Sequence, residues 1–206
     1  MTDKNKSAIK TYDHISKAYA DKFSEPSDNI DDFLKLVPKH GKILDAGCGP
    51  GTDSAYMDAR GFKVVGVDLS AKMLGLAKKK SPNIHFQQAD IRKLKFDPDS
   101  FDGILASYSL IHVPKKKISQ TIKSFHKILK PAGIICIGVQ EEKSKEIFIT
   151  EPLKPDEKIF VNVISADELR RLLDASGFKV LKKFMRTHEK EELEFNKFVV
   201  IAKKLA

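Results

Sequence analysis

Residues 43–51 read ILDAGCGPG, an apolar run that ends in an aspartate and continues into three glycines at alternate positions. The run predicts a buried strand, and the pattern after Gly51 predicts a helix. Glycine adopts positive φ angles and has no Cβ, so the backbone can turn sharply and lie directly against a ligand. Open α/β sheets bind their ligands at such strand-to-helix turns. We therefore expect a ligand site at these glycines.

The rest of the sequence alternates predicted strands with predicted helices. Five short apolar segments bounded by turn residues have the pattern of buried parallel strands: KILDAG, FKVVGVDL, NIHFQQ, FDGILAS and GIICIGV. Helical patterns occupy residues 52–60, 71–80 and 115–129, and a capping box at Ser165 opens a further helix. Two last strand patterns, FKVLKKFMR and LEFNKFVVIAKK, are joined by a charged turn at 188–192 and predict an antiparallel hairpin.

This order of elements predicts an α/β fold of the doubly wound, Rossmann-like class. We expect a mostly parallel seven-stranded sheet with a C-terminal antiparallel hairpin strand and helices on both faces. The 206 residues should form one domain, 1–206. Two segments fall outside the alternating pattern. Residues 1–40 predict an N-terminal helical cap, and residues 140–164 predict an insertion that acts as a substrate lid.

Composition narrows the class of protein. No apolar run approaches the roughly 18 residues of a membrane span, and the polar start lacks a secretory core, so we expect a cytoplasmic protein without membrane contact. Cys48 and Cys136 lack the spacing of a disulfide framework or a metal site, and we predict no metal. Only five of the 37 basic residues are arginine, so the net charge of +9 favours solvated lysine faces over nucleic-acid binding.

Two further aspartates follow the next predicted strands. Asp68 ends the second strand about 20 residues after Gly47, the spacing of an acid that binds ribose hydroxyls, and Asp90 follows the third strand. The glycine spacing differs from the dinucleotide fingerprint, and Asp45 would repel a pyrophosphate. The expected ligand has a ribose, an adenine and a positive centre but no phosphates. S-adenosylmethionine has these properties.

Five motifs then stand in the order found in a known family: ILDAGCGPG, VVGVDLS, QQADIRKLKF, SFDGILASYSLIHV and SADELRRLLDASGFKV. They resemble the successive motifs of class I S-adenosylmethionine-dependent methyltransferases, of the small-molecule branch. The resemblance covers nearly the whole chain, from about Tyr12 to Ala202. It implies an enzyme with S-adenosylmethionine as cofactor and S-adenosylhomocysteine as product.

The resemblance also implies which residues hold the methionine part of the cofactor. Gly47, Gly49 and Gly51 would pass along it, and Asp45 would lie near its amino group. Ser107, at the end of the fourth strand, would lie near the same end.

A second group of residues is implied for the adenosine part. Asp68 would bind both ribose hydroxyls, with Leu69 beside it in the same site. Asp90 would accept from the adenine amino group while the backbone amide of Ile91 donates to a ring nitrogen. Asp90 could instead only cap a turn.

Three side chains are candidates for the reacting end of the site. Histidine's free pKa near 6.5 suits His112, just past the fourth strand, to act as a general base, and the alternative is a hydrogen-bonded structural histidine. Tyr12 and Tyr19 are two helical turns apart on one face. In relatives such tyrosines close over the cofactor, and the alternative is core packing.

The sequence does not select the methyl acceptor. Relatives that act on base amino groups carry an Asn- or Asp-Pro-Pro-aromatic motif after the fourth strand, where this chain reads ASYSL. The acids and histidines do not form a divalent-metal pattern of the catechol type. A small-molecule methyltransferase is the leading hypothesis. The alternatives are an RNA or protein methyltransferase that uses the basic surface, and a non-catalytic S-adenosylmethionine-binding module.

Overall fold

The computed structural model of the chain describes residues 3–189 and 192–205. Its strands are β1 (Lys42–Ala46), β2 (Lys63–Asp68), β3 (His85–Gln88), β4 (Phe101–Ser107), β5 (Leu129–Glu141), β6 (Lys145–Glu151), β7 (Lys154–Val163), β8 (Phe178–Arg186) and β9 (Asn196–Lys204). Its helices are α1 (Asp3–Lys22), α2 (Ile30–Leu34), α3 (Thr52–Asp58), α4 (Ala71–Lys80), α5 (Lys115–Ile128) and α6 (Ala166–Asp174).

Seven strands form one sheet in the order β3-β2-β1-β4-β5-β9-β8. The pairs among β1 to β5 are parallel, whereas β9 pairs antiparallel with both β5 and β8. The predicted doubly wound sheet with a C-terminal antiparallel hairpin is confirmed. The strand order changes direction between β1 and β4, which places a crevice at their carboxyl ends.

The sheet is buried on both faces, and this explains its nearly continuous apolar strands. Ile43 and Leu105 belong to a cluster with buried residues of α2, α3 and α4. Their chain neighbours Leu44 and Ile104 belong to a second cluster, which includes buried residues of α5 and α6. Because successive side chains of a strand point to opposite faces, one short apolar run supplies both clusters.

Helix ends follow the predicted signals closely. The Ser165 side chain accepts a hydrogen bond from the Glu168 amide at 3.3 Å, which is the predicted cap of α6. Gly177 follows that helix with a φ of 81°, a conformation that glycine tolerates. α3 ends at Asp58, two residues before the predicted end. In the predicted turn at 188–192, residues 190 and 191 lie outside the described residues.

The predicted insertion contains a hairpin of β6 and β7, which pair antiparallel in a sheet of their own. The second half of β7 is part of the main core, because Ile159, Phe160 and Val161 are fully buried. α1 packs against β7, and the Thr11 hydroxyl donates to the Glu157 carboxylate at 2.7 Å. The β6–β7 hairpin and α1 therefore contact each other beside the crevice. That they act as a lid stays a prediction.

β8 forms one free edge of the main sheet. Its pairing with β9 shifts between Val180 and Lys182, so Leu181 is an extra, bulged residue. Lys179 and Lys183 are exposed on this strand. The lysine runs at 78–80 and 115–117 are exposed on α4 and α5.

Two other observations concern the class of protein. Within residues 3–189 and 192–205, no helix combines the length and apolar character needed to cross a membrane. Cys48 and Cys136 are both buried and unbonded to each other.

Candidate active site

The three glycines of the opening motif have positive φ angles, 91° at Gly47, 50° at Gly49 and 80° at Gly51. A Cβ on Gly47 would lie 2.4 Å from Cβ of Ser109, so only glycine fits there. A Cβ on Gly49 would meet no atom within 4 Å. The backbone at Gly49 therefore faces open space at the carboxyl end of β1, where a ligand can approach it.

Asp68 holds this turn in place from the end of β2. Its carboxylate oxygens accept one hydrogen bond from the Gly49 amide at 2.9 Å and one from the Ser70 amide at 2.8 Å. Burial raises the pKa of Asp68, and these backbone hydrogen bonds oppose that rise. A carboxylate has about four lone-pair positions, so Asp68 can also accept a hydrogen bond from a hydroxyl of a ligand.

A cavity of about 120 Å³ lies above the turn, between the carboxyl ends of the strands and α1. Apolar side chains such as Ile9, Met73 and Val113 form part of its wall. The predicted site residues on this wall are Tyr12, Tyr19, Gly47, Gly49, Asp68, Leu69, Asp90, Ile91, Ser107 and His112. The structure thus brings together residues from five separate parts of the sequence.

Two predicted site residues, Asp45 and Gly51, do not line this cavity. Asp45 is 2% exposed and accepts a hydrogen bond from the Ser54 hydroxyl at 2.6 Å. Burial, together with the charges of Asp53 and Asp68, raises the pKa of Asp45 well above its usual range. A Cβ on Gly51 would lie 2.9 Å from Cβ of Ala77, so this glycine permits close packing on α4.

Asp90 adopts the turn-capping arrangement and also lines the cavity. Its carboxylate accepts from the Arg92 backbone amide at 2.9 Å and forms an ion pair with the Arg92 guanidinium at 2.5 Å. Burial alone would raise the pKa of Asp90, but the hydrogen bonds from Arg92 lower it below the usual range. An adenine amino group would share this carboxylate with Arg92.

His112 connects α1 to β7 through both ring nitrogens. The Phe160 carbonyl can only accept, so His112 Nδ1 carries a hydrogen and donates to it at 2.8 Å. Nε2 then accepts from the Tyr12 hydroxyl at 2.8 Å. Burial lowers the pKa of His112 to about 4, which keeps the ring neutral near pH 7. This arrangement makes His112 a positioning partner of Tyr12, and its role as a base stays a prediction.

Tyr12 and Tyr19 share one side of α1, as the spacing predicts. Their rings meet edge to face with centroids 5.5 Å apart. Burial raises the pKa of both hydroxyls, and nearby carboxylates add to the rise, so both remain neutral. The pair covers the cavity from the helix side.

A second, larger cavity of about 390 Å³ adjoins the first. The two share wall residues, namely Tyr12, Tyr19, Gly47, Gly49, Ser107 and Tyr108. Tyr108 follows β4 with a φ of 51°, an uncommon angle for a non-glycine residue that is often found at functional sites. Its buried hydroxyl has no hydrogen-bond partner among the described residues.

Several side chains of the larger cavity were not predicted from the sequence. The Ser107 hydroxyl lies 2.7 Å from that of Ser27, whose own amide donates to Asp53 at 2.7 Å. Glu151 enters the wall from the end of β6, and Lys197 enters it from β9. Lys197 directly precedes the apolar run FVVIA of β9, and a lysine at this position is a signal in the sequence that could have identified it. The others carry no local pattern.

Comparison with known proteins agrees with this geometry. The profile of a family described as a methyltransferase domain matches residues 43–133. The Bacillus subtilis protein YqeM, whose name describes it as a methyltransferase, is 32% identical over 167 residues, which cover 74% of this chain and 68% of that protein. The demethylmenaquinone methyltransferase of Chlorobaculum tepidum is 33% identical over 143 residues, covering 63% of this chain and 58% of that protein.

A solved structure has the same fold. The 1,6-didemethyltoxoflavin-N1-methyltransferase of Burkholderia thailandensis, solved with 1,6-didemethyltoxoflavin and S-adenosylhomocysteine bound, matches with a TM-score of 0.75. The match is 21% identical and covers 98% of this chain and 87% of that chain. The fold is therefore that of the class I S-adenosylmethionine-dependent methyltransferases. The chain belongs to this methyltransferase family.

Proposed function

We propose that the chain transfers a methyl group from S-adenosylmethionine to a small-molecule acceptor, with the cofactor in the smaller cavity and the acceptor in the larger one. The observation that carries this proposal is the wall that the two cavities share at Gly47, Gly49 and Ser107. A group held in one cavity would lie within reach of a molecule held in the other. Methyl transfer needs this in-line approach more than it needs covalent help from the enzyme.

The residues of the smaller cavity suit the adenosine part of the cofactor. Asp68 would accept from the ribose hydroxyls with the lone pairs that Gly49 and Ser70 leave available. Leu69 and Ile91 would contact the adenine, and Asp90 would accept from its amino group. When bound, S-adenosylmethionine supplies a methyl group attached to a positively charged sulfur.

The residues around the reacting end orient groups and exclude water. Tyr12 and Tyr19 would cover the point where the two cavities meet. His112 would fix the direction of the Tyr12 hydroxyl, because its Nε2 accepts the hydroxyl hydrogen. A covered site protects the transfer from hydrolysis and keeps electrostatic interactions strong.

The names of two similar proteins support a small-molecule acceptor. The Chlorobaculum tepidum relative is a demethylmenaquinone methyltransferase, and the Burkholderia thailandensis structure contains 1,6-didemethyltoxoflavin. An RNA or protein acceptor would instead use the exposed lysines of α4 and α5. Its binding would weaken steeply with salt, whereas the binding of a small acceptor inside the larger cavity would depend on salt much less.

Calorimetry tests the cofactor part of the proposal. S-adenosylmethionine and S-adenosylhomocysteine should bind, and NAD and ATP should bind far more weakly, because the cavity wall carries the carboxylates of Asp68 and Asp90 and the glycine turn has no lysine to bind a phosphate. Tight binding of NAD without binding of S-adenosylmethionine would refute the proposal. Incubation with methyl-labelled cofactor and a pool of metabolites then separates an enzyme from a binding module, which would transfer no label.

A further inference from the structure

The wall of the larger cavity has the opposite charge to the molecule as a whole. The chain carries a formal net charge of +9. Among the described residues, three cations on this wall are Lys22, Arg186 and Lys197. The six carboxylates on it are Glu25, Asp28, Asp53, Glu151, Glu189 and Glu192. A concave site lined in this way attracts cations, since low-dielectric walls concentrate the field.

Part of this charge is already balanced inside the protein. Arg186 forms ion pairs with Asp28 at 2.6 Å and with Glu192 at 2.8 Å. Lys197 is 4% exposed, and its ammonium donates to the Gln140 side chain at 2.8 Å. It also lies 3.8 Å from Glu192. Arg186 and Lys197 are therefore held by partners on the wall, and the four carboxylates outside these ion pairs outnumber the one other cation, Lys22.

Asp53 and Glu151 form no ion pair with any described residue, but they differ in how well their oxygens are satisfied. Both oxygens of Asp53 accept from Ser27, one from the amide at 2.7 Å and one from the hydroxyl at 2.5 Å. Glu151 is 7% exposed and accepts a single hydrogen bond among the described residues, from the Leu153 amide to Oε1 at 3.2 Å. The Oε2 atom of Glu151 is thus available to a guest.

Glu151 lies on the wall of the larger cavity together with Tyr12 and Tyr19, whose rings also line the smaller cavity at the junction of the two. Its charge adds to the effect of burial in raising the pKa of both tyrosines. Burial raises the pKa of Glu151 itself. A buried carboxylate without a cation is costly, and a cationic guest would remove that cost.

From these contacts we propose that the methyl acceptor is a small amine, which enters as its ammonium ion and binds to the Glu151 carboxylate. This inference rests on the proposed function, because it names the acceptor class of the same site. The ammonium gives one proton to Glu151, which becomes a neutral carboxylic acid. The nitrogen lone pair then forms the new N–C bond while the S–C bond breaks, and the electrons of that bond stay on sulfur. The products are an N-methylammonium ion and the neutral thioether.

The other ionisable groups near the junction are less suited to accept this proton. Both nitrogens of His112 are engaged, by Phe160 and by Tyr12. The tyrosines are neutral and have no charge to attract an ammonium. Asp53 already accepts two hydrogen bonds from Ser27. Glu151 combines a free oxygen, burial and a place on the cavity wall.

Matched pairs of small molecules test the charge preference directly. In each pair, the two molecules share a skeleton, but one ends in an ammonium group and the other ends in a carboxylate. The pairs are histamine with imidazole acetate, tryptamine with indole acetate, and phenethylamine with phenylacetate. Calorimetry on protein saturated with S-adenosylhomocysteine should show tighter binding of the amine in each pair. Labelled methyl transfer should reach amines and not carboxylates. Equal binding of both members, or tighter binding of the carboxylates, would overturn the inference.

Two variants then locate the effect. Glu151→Gln keeps the shape but removes the charge, and it should weaken binding of the preferred amine on the order of a hundredfold. Its affinity for S-adenosylhomocysteine should stay within about twofold of the original. Asp156→Asn removes a carboxylate that is 73% exposed on the same hairpin, and it should change neither affinity. An unchanged amine affinity in Glu151→Gln would overturn the inference, while loss of cofactor binding in the unaltered protein would overturn the proposed function instead.

Discussion

The two cavities differ in what builds them. The smaller one is walled mainly by backbone and side chains at the carboxyl ends of β1 to β4, which follow one another in the sequence. The larger one is walled by side chains from segments as distant as residues 22 and 197. A cofactor common to a family can thus be held by the regular part of the fold. Under the proposed function, the acceptor would be held by parts that can change without altering that fold.

The largest effect is expected in the glycine turn, whose backbone forms part of the wall of the smaller cavity. Gly47→Ala combines the strain of a positive φ with a Cβ placed 2.4 Å from Cβ of Ser109, and it should lower the free energy of unfolding by about 4 kcal/mol. Gly49→Ala is the matched control, because its Cβ would meet no atom within 4 Å; it should cost only about 1 kcal/mol. Urea denaturation measures both. Equal losses in the two variants would show that the contact with Ser109 does not matter.

A variant of Asp68 tests whether the charge of this residue contributes to cofactor binding in the smaller cavity. Asp68→Ala removes the acceptor of the ribose hydroxyls and should weaken S-adenosylmethionine binding by about a hundredfold or more, close to 3 kcal/mol. The variant also leaves the Gly49 and Ser70 amides without their partner, so a smaller fall in melting temperature is expected. Calorimetry on this variant and on Asp97→Ala, which alters an exposed aspartate, separates the two effects. An unchanged affinity with a lowered melting temperature would limit Asp68 to a structural role.

Asp45 lies beneath the turn, and its effect should appear as a dependence of stability on pH. Its pKa is raised in the folded protein, so above about pH 4 the unfolded chain loses a proton that the folded chain keeps. The contribution of Asp45 to the free energy of unfolding is therefore fully present below about pH 4, and it is lost as the pH rises through the pKa of Asp45 in the folded protein. Relative to Asp45→Asn, the unaltered protein should lose up to about 1.4 kcal/mol for each pH unit in this range. Urea denaturation at several pH values measures this, and parallel curves for the two proteins would contradict it.

The smallest effect is expected where α1 meets the hairpin. Thr11→Val keeps the shape of a buried side chain but removes its hydrogen bond to Glu157, which should cost about 1 kcal/mol. Amide hydrogen exchange should become faster in β6 and β7 and stay unchanged in β1. Thr121→Val, which removes a hydroxyl bonded within α5, is the matched control and should leave exchange in the hairpin unaltered. Faster exchange in β1 would mean that the two regions are not independent.

The sequence was sufficient for the sheet and for most of the smaller cavity because both depend on local signals. Strand ends, glycines and Asp68 follow one another at fixed spacings, and parallel strands bring their carboxyl ends to one edge. Asp45 was expected near the ligand, and the structure places it below the turn with Ser54. The step from strand end to cavity wall depends on which way one side chain points. That direction is set by packing against α3.

The larger cavity could not be predicted because it depends on contacts between distant segments. The pKa of His112 depends on burial and on a carbonyl 48 residues away, and the residue type reveals neither of these. Glu151 reaches the cavity only because β7 returns into the core and sets the position of the hairpin. The sequence of residues 140–164 has no periodic pattern that predicts the entry of β7 into the core.

The free edge of β8 bears on solubility. An incoming strand from another molecule would need a flat row of unpaired amides and carbonyls, and the bulge at Leu181 interrupts that row. Lys179 and Lys183 on the same strand would bring like charges together if two such edges met. We therefore expect part of the lysine surplus to oppose edge-to-edge aggregation, even though Met185 is 54% exposed there. Replacing these lysines with threonine should lower the concentration at which the protein stays dispersed.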